Sequence, residues 1–376
     1  LLSACGKDDD GGKGDGGSGG KKTYTIGIQA PLSADNAQLG INVANGVIQA
    51  VKEANAKGDL PFKLKTLKSD DEGDPAKGTA AAQKLIDDKS IPAVVGPVFS
   101  GPTKTASPLY ARANLMSLTP SATNPALTDP ANKFTSLVRG IANDNLQGKA
   151  IANFVSKKLK LKSIYVVDDK SEYGVGLSEA AIKDFKKAGL KVKTDSVPAK
   201  TPDYTGPATK AVNAKMDALF YAGYYQDAAP FAKKLKAAGW DKPSFSADGT
   251  KDQKFIDLGG AATENWYLTC PCTDATVEPG TKKFAADYVK MWKIQPGTYS
   301  GEAYDVTNFL ISEMKKLGDK AGDRKAVLDA VKGATYKGLT KTFSFDKNGE
   351  FKGTDVWIYQ VKNKKIGFIG NVQDQI

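Results

Sequence analysis

From Tyr24 onward, short apolar runs alternate with stretches of helical spacing; the alternation stops near Arg139-Gly140 and then starts again. In the first series Tyr24–Ile28 reads as a strand. Leu39–Asn55 reads as a helix whose Val43, Val47, Ile48 and Val51 share one face, with Gly58 just past its end. Phe62–Leu67 alternates as a strand does, and Asp74-Pro75 is a strong helix opening. Strand Ala93–Gly96, a helix from about Thr103 to Ala113 and strand Leu115–Leu118 follow. The second series opens with a helix near Asp144, then strand Ser163–Val167, helix Val175–Ala188, strand Leu190–Thr194, helix Tyr204–Ala214, strand Ala218–Ala222, helix Asp227–Ala238 and a short strand near Phe245. Strands that alternate with helices build parallel sheets covered on both faces. Two such series predict an α/β protein of two doubly wound parallel-sheet lobes, and 376 residues suit two cores better than one. The last third differs, with helices at Lys282–Trp292, Glu302–Leu317 and Lys325–Val331. A strand–turn–strand over Phe343–Phe351 and a closing hairpin, Val356–Val361 with Ile366–Ile369, complete it.

Composition removes several function classes. The net charge is +11, from 53 basic and 42 acidic residues, but arginine occurs only as Arg112, Arg139 and Arg324 and the lysines are scattered. Arginine is the better reader of phosphates and base edges, so the excess reads as a solvated lysine-rich surface and not as a nucleic-acid interface. Histidine is absent, which takes away the commonest general base and the commonest metal ligand. Without a P-loop or dinucleotide fingerprint either, the chain reads as a binder with no metal and no cofactor, not as an enzyme. No apolar stretch reaches the length of about 20 residues that spans a bilayer.

The chain opens Leu1-Leu2-Ser3-Ala4-Cys5, and Leu-Ser-Ala-Cys resembles a bacterial lipobox. That resemblance makes Cys5 a lipidation site and Leu1–Ala4 the remnant of a signal peptide. Lys7–Gly20 is Gly- and Asp-rich with no apolar residue, the composition of a flexible tether. Residues 1–21 are therefore read as lipobox remnant and tether, with the protein lipid-anchored on the outer face of the cell membrane.

Ligands of doubly wound sheets bind beyond the carboxyl ends of the strands. After Ala93–Gly96 comes Pro97-Val98-Phe99-Ser100, opening a helix; Ser100 is either an anion contact beside free N–H groups or part of the helix cap. After Leu115–Leu118 comes the hydroxyl-rich, proline-bounded loop Thr119–Pro125, which offers Ser121, Ala122 and Thr123. The second series contributes Asp168–Gly174 with Tyr173, then Gly223-Tyr224-Tyr225, then Asp248-Gly249. One half thus offers hydroxyl and N–H groups for an anion, and the other an aspartate and tyrosines for a cation. A free α-amino acid carries both charges on one carbon.

These loops, in this order, resemble the type I periplasmic binding proteins of the leucine/isoleucine/valine-binding group. The likeness runs from about Tyr24 to the carboxyl terminus. It rests on Gly96–Ser100, Pro120–Pro125, Tyr173–Leu177, Gly223–Tyr225, Ala247–Gly249, and Tyr299 with Ala303-Tyr304-Asp305. The resemblance implies capture of a small, branched-chain-like amino acid between the lobes and delivery to the membrane permease of an ABC importer, by a protein expected to be a monomer. A ligand-sensing receptor component, or a binder of amides or short organic acids, is the other reading of the same fold. By resemblance Ser100, Ala122 and Thr123 hold the carboxylate, Tyr224 and Asp248 the ammonium, and Tyr173 and Tyr299 close over the ligand. Asp248 stands where the family has a glutamate, Leu39 where it has a tyrosine, and Gly73 and Phe99 where some members have a disulfide. Glu302 favours a cationic ligand side chain if it faces the cleft; on its helix it reads as solvated.

The resemblance also implies three crossings between lobes, near Gly140, Cys270–Cys272 and Lys352. One lobe then holds 22–140 plus 271–352, and the other 141–270 plus 353–376. Cys270-Pro271-Cys272 has too few partners for zinc and lacks the usual redox spacing. A local disulfide and buried free thiols both remain open for it.

Overall fold

The computed structural model describes residues 20–376, so Cys5 and most of the tether lie outside the described residues. The first lobe is built from β1 (Thr23–Ala30), α1 (Ala37–Lys57), β2 (Lys63–Asp70), α2 (Pro75–Asp87), β3 (Ala93–Val95), α3 (Ser100–Arg112), β4 (Met116–Thr119) and β5 (Leu137–Arg139). Its sheet is parallel throughout, in the order β2-β1-β3-β4-β5. The order reverses between β1 and β3, which opens a crevice at the carboxyl ends of those strands.

The second lobe follows as α4 (Asp144–Asn153), β6 (Ser163–Asp168), α5 (Glu172–Lys187), β7 (Lys191–Ser196), α6 (Thr205–Asn213), β8 (Ala218–Ala222), α7 (Tyr225–Ala237), β9 (Ser244–Ser246), α8 (Gln253–Gly259) and β10 (Tyr267–Cys270). The chain then supplies α9 (Lys282–Trp292), α10 (Ser300–Leu317) and α11 (Arg324–Gly333), with α10 packed along α1 and α11 against β3 and β4 of the first lobe. A small ribbon, β11 (Tyr336–Lys337) with β12 (Thr342–Phe343), precedes β13 (Trp357–Lys362) and β14 (Lys365–Asn371). The last two add an antiparallel edge to the second sheet, whose order is β14-β13-β10-β9-β8-β6-β7. Its switch point lies between β6 and β8.

The predicted alternation is present in both lobes. Strands such as Ala93–Val95 and Ala218–Ala222 are buried along their whole length, as parallel strands sandwiched by helices must be. Helix ends follow the expected chemistry. Asp74 accepts the Ala76 N–H and Ser171 the Gly174 N–H, while Gly58 adopts φ 72° to end α1.

Three expectations need correction. Helices α3, α5 and α7 begin at Ser100, Glu172 and Tyr225, two or three residues before the apolar periodicity does. A first turn has free N–H groups that polar surroundings satisfy, so periodicity does not mark it. The strand–turn–strand over Phe343–Phe351 is reduced to a bridge between Phe345 and Phe351, because Phe343 pairs with Tyr336 instead. The turn itself folds around Asp346, whose carboxylate accepts the N–H groups of Asn348 and Glu350 at 2.8 and 2.9 Å. Finally, β5, α8 and β10 had no counterpart in the sequence reading.

Arg139, at the end of β5, is fully buried. Its guanidinium donates to Glu350 through Nε at 3.0 Å and Nη2 at 2.6 Å, and to the Ala122 and Asn124 carbonyls at 3.0 and 2.7 Å. At the end of β10, Cys270 and Cys272 are joined as a disulfide and both are buried; of the two alternatives left open, this is the one formed.

Candidate ligand-binding site

Asp248 follows β9 and is buried where the two lobes meet. One carboxylate oxygen, Oδ1, accepts from the Tyr173 hydroxyl at 2.8 Å and from Gln147 Nε2 at 2.6 Å. The other, Oδ2, accepts from the Tyr299 hydroxyl at 2.6 Å. Tyr173, in the first turn of α5, also takes the Gly249 N–H at 3.0 Å. A Cβ on Gly249 would sit 2.6 Å from the Tyr173 ring, so this approach requires glycine. Tyr299 comes from the opposite lobe, at the start of α10, and holds a left-handed backbone with φ 70°. For an aromatic residue that conformation is uncommon and is found where the surroundings impose it.

The facing wall is the end of β4 and the start of α3. Ser100 is the first residue of α3 and does not cap it; its hydroxyl accepts the Asn124 N–H at 3.3 Å. Ser121 and Ala122 are less free than their positions suggest. The Ser121 hydroxyl donates to the Val98 carbonyl at 2.8 Å, and the Ala122 N–H goes to Thr119 Oγ1 at 3.0 Å while its carbonyl takes Arg139. Thr123 differs: it is fully buried and its hydroxyl has no hydrogen-bond partner.

Aromatic rings close the remaining side. Phe99 and Tyr224, from opposite lobes, have centroids 4.3 Å apart, and Tyr224 and Tyr173 lie 4.9 Å apart. These three rings, with Gly73, Glu172 and Lys200, line a cavity of about 520 Å³. Gly73, at φ 72°, lies so close to Phe99 that a Cβ would be 2.9 Å from its ring. The pair that stands in place of a disulfide is therefore in contact. Leu39 is in the first turn of α1 and packs in the apolar core. A second cavity, about 500 Å³, is lined by Lys251, Thr298 and Asn42, beside Asp248 and Tyr299 in the chain. Further bridges join the lobes, including Lys104 with Glu172 at 3.0 Å and Asn124 Nδ2 with the Glu172 carbonyl at 2.7 Å.

Two residues of the network around Asp248 are not among the expected site residues. Asp144 and Gln147 lie on α4, not on a loop after a strand, so the strand-end rule does not reach them. Gln147 Nε2 donates to Asp248 and also to Asp144 Oδ1 at 2.8 Å. Asp144 is fully buried, and its Oδ2 has no partner. Burial, reinforced by the charge of Asp248, pushes the Asp144 carboxyl up to about 8. Burial also raises Asp248, against the hydrogen bonds from Gln147, Tyr299 and Tyr173. Glu302 is a correction: it is buried, not solvated, and it accepts from Lys341 at 3.1 Å and from the Thr273 N–H at 2.8 Å. Among the described residues there is no group of three or more His, Cys, Asp or Glu side chains fit to hold a metal, and no helix long and apolar enough to cross a membrane.

Two doubly wound lobes whose strand-end loops meet around a buried carboxylate match a known pattern over most of the chain. The family model described as periplasmic binding protein matches residues 23–365. The chain belongs to the periplasmic binding protein family. This periplasmic binding protein is 30% identical to the Leu/Ile/Val-binding protein BraC3 of Rhizobium johnstonii, over 91% of this chain and 92% of the relative. It superposes on the branched-chain amino acid transporter substrate binding protein LivJ of Streptococcus pneumoniae, solved with isoleucine, with TM-score 0.83 and 26% identity, covering 93% and 100% of the two chains. A solute binding protein of an ABC transporter from R. palustris, solved with benzoate, has the same fold at TM-score 0.83 and 19% identity, covering 93% and 96%.

Proposed function

We propose that this periplasmic binding protein captures a small α-amino acid with an apolar, branched-chain-like side chain between its lobes and delivers it to the membrane permease of an ABC importer. The observation that carries the reading is Asp248, a buried carboxylate held by tyrosines from both lobes. Opposite it stand the Thr123 hydroxyl, which has no partner, and Ser100 at the start of α3. Asp248 supplies the counter-charge for an ammonium group, and Ser100 and Thr123 hold the carboxylate beside the first N–H groups of the helix. Phe99, Tyr173 and Tyr224 offer an apolar wall to the side chain. Excluding water on closure strengthens both charge pairs.

The relatives named Leu/Ile/Val-binding support the amino-acid reading. Benzoate, bound by one structural neighbour, would satisfy the aromatic wall but leave Asp248 without a cation. The lobes are taken to be 22–140 plus 271–352 and 141–270 plus 353–376, and the protein is taken to act as a monomer, anchored outside the cytoplasm through a lipid on Cys5. A thermal-shift panel tests the ligand: leucine, isoleucine or valine raises the melting temperature and benzoate does not. A shift with benzoate alone overturns the amino-acid reading.

A further inference from the structure

A single side-chain amide bridges two buried acids here. Gln147 Nε2 donates to Asp144 Oδ1 at 2.8 Å and to Asp248 Oδ1 at 2.6 Å, so both carboxyl groups lie within reach of one –NH2. The groups facing Asp144 supply little positive charge. Asp248 comes from the loop after β9, Tyr173 from α5, Tyr224 from the start of α7 and Tyr299 from the start of α10. The cation that bears on Asp144 is Arg139 of β5, and its guanidinium is already engaged by Glu350 and by the Ala122 and Asn124 carbonyls. The cation that bears on Asp248 is the buried Lys251, whose ammonium sits 4.2 Å from the centre of the Tyr359 ring and donates to Thr298 Oγ1 at 3.4 Å. Two ionised carboxylates this close, out of water and with both of these cations engaged by other partners, do not coexist; one of them keeps a proton. Asp144 Oδ2 is buried with no hydrogen-bond partner among the described residues; the Thr123 hydroxyl beside it, a donor that favours the ionised form of Asp144, is equally unpartnered, so this oxygen is open to a ligand donor.

We propose that Asp144 and Asp248 share one proton before the ligand binds and release it when a ligand ammonium settles between them, so that amino-acid capture is coupled to the loss of one proton. The carboxyl O–H bond breaks, its proton passes to solvent, and the ligand's N–H groups replace it as donors to two carboxylates. No other bond changes. The inference rests on the amino-acid reading above and adds Asp144 as a second anionic contact. It makes the site selective for ligands that bring a full positive charge, because a neutral or anionic ligand cannot displace the proton. Burial and the charge of Asp248, which hold the Asp144 carboxyl at about 8, agree with a pair that is singly protonated at neutral pH.

The test is calorimetry with L-leucine and L-isoleucine at about pH 7 in phosphate and in Tris, whose ionisation enthalpies differ. The difference in apparent enthalpy gives the number of protons released, expected to be about one per ligand bound. Affinity should climb by up to about tenfold per pH unit from about pH 6 to about pH 8 and then level off. Asp144→Asn, which keeps the shape but cannot carry the proton, should bind with no proton release. Leucine or isoleucine binding with zero release in the wild-type protein overturns this inference alone, as does unchanged release in Asp144→Asn. Binding of neither amino acid overturns the amino-acid reading and this inference with it. The wild-type measurement in two buffers decides the matter even if the variant fails to fold.

Discussion

The Tyr299 hydroxyl donates to Asp248 Oδ2 across 2.6 Å, joining the start of α10 in one lobe to the loop after β9 in the other. Removing only that hydroxyl, in Tyr299→Phe, takes a donor from a buried carboxylate that has few others. Hydrogen bonds to charged groups are worth about 1.5–3 kcal/mol, so leucine affinity should fall by roughly 10- to 100-fold. The bond exists only when the lobes meet, so stopped-flow dissociation should show most of the loss as faster release.

Asp248→Ala removes the proposed partner of the ligand ammonium, leaves the hydroxyls of Tyr173 and Tyr299 without their acceptor and takes one of two acceptors from the amide of Gln147. Breaking one side of a buried charge pair costs about 2–5 kcal/mol, which is the expected loss of leucine binding energy. Unchanged affinity by calorimetry would remove Asp248 from the site.

Glu350 is the carboxylate that meets the fully buried Arg139. Burial raises the Glu350 carboxyl, but the Arg139 charge and the hydrogen bonds from Arg139, Thr128 and Asn143 outweigh it and hold the group below its ordinary value of 4.5. A depressed carboxyl contributes stability that is present above the unfolded value and disappears as pH falls through the folded one. The excess of the wild-type urea midpoint over that of Glu350→Gln should therefore be level around neutrality and shrink on acidification below about pH 4.5. Glu350→Ala should cost about 3–5 kcal/mol at neutral pH by leaving the guanidinium unpaired.

The Cys270–Cys272 bridge closes a loop with a sequence separation of only 2, so it removes little freedom from the unfolded chain. Chain-entropy reasoning gives about 1–2 kcal/mol. Replacing both cysteines with serine should lower the unfolding free energy by no more than about that amount. In the denatured wild-type protein, thiol labelling should reach these two cysteines only after reduction.

Much of the fold was legible because its central strands are buried. Runs such as Ala218–Ala222 and Ser163–Val167 have no polar face to confuse the pattern. Strands β5 and β10 have three and four residues with polar Arg139 and Thr269 among them, and β5 follows a Pro-rich stretch that reads as loop. Of the candidate site, the residues that obey the strand-end rule were legible: Ser100, Thr123, Tyr173, Tyr224 and Asp248. Asp144 and Gln147 were not, since they reach the same point from a helix and only the tertiary fold brings α4 there. How far Ser121 and Ala122 are engaged was equally hidden. It depends on Thr119 and Arg139 turning back on the loop, and no local spacing announces that.

The disulfide at the end of β10 has a mechanical consequence. A ring that joins Cys270 to Cys272 around a proline leaves that strand of the hinge almost no torsional freedom. On the proposed division of the lobes, rotation must be absorbed by the other two connections, around Gly140 and around Lys352. The protein would then swing like a door on two pliant leaves and one stiff pin, with its arc set at the pin and its sweep greatest at the far rim of the cleft, where Phe99 meets Tyr224.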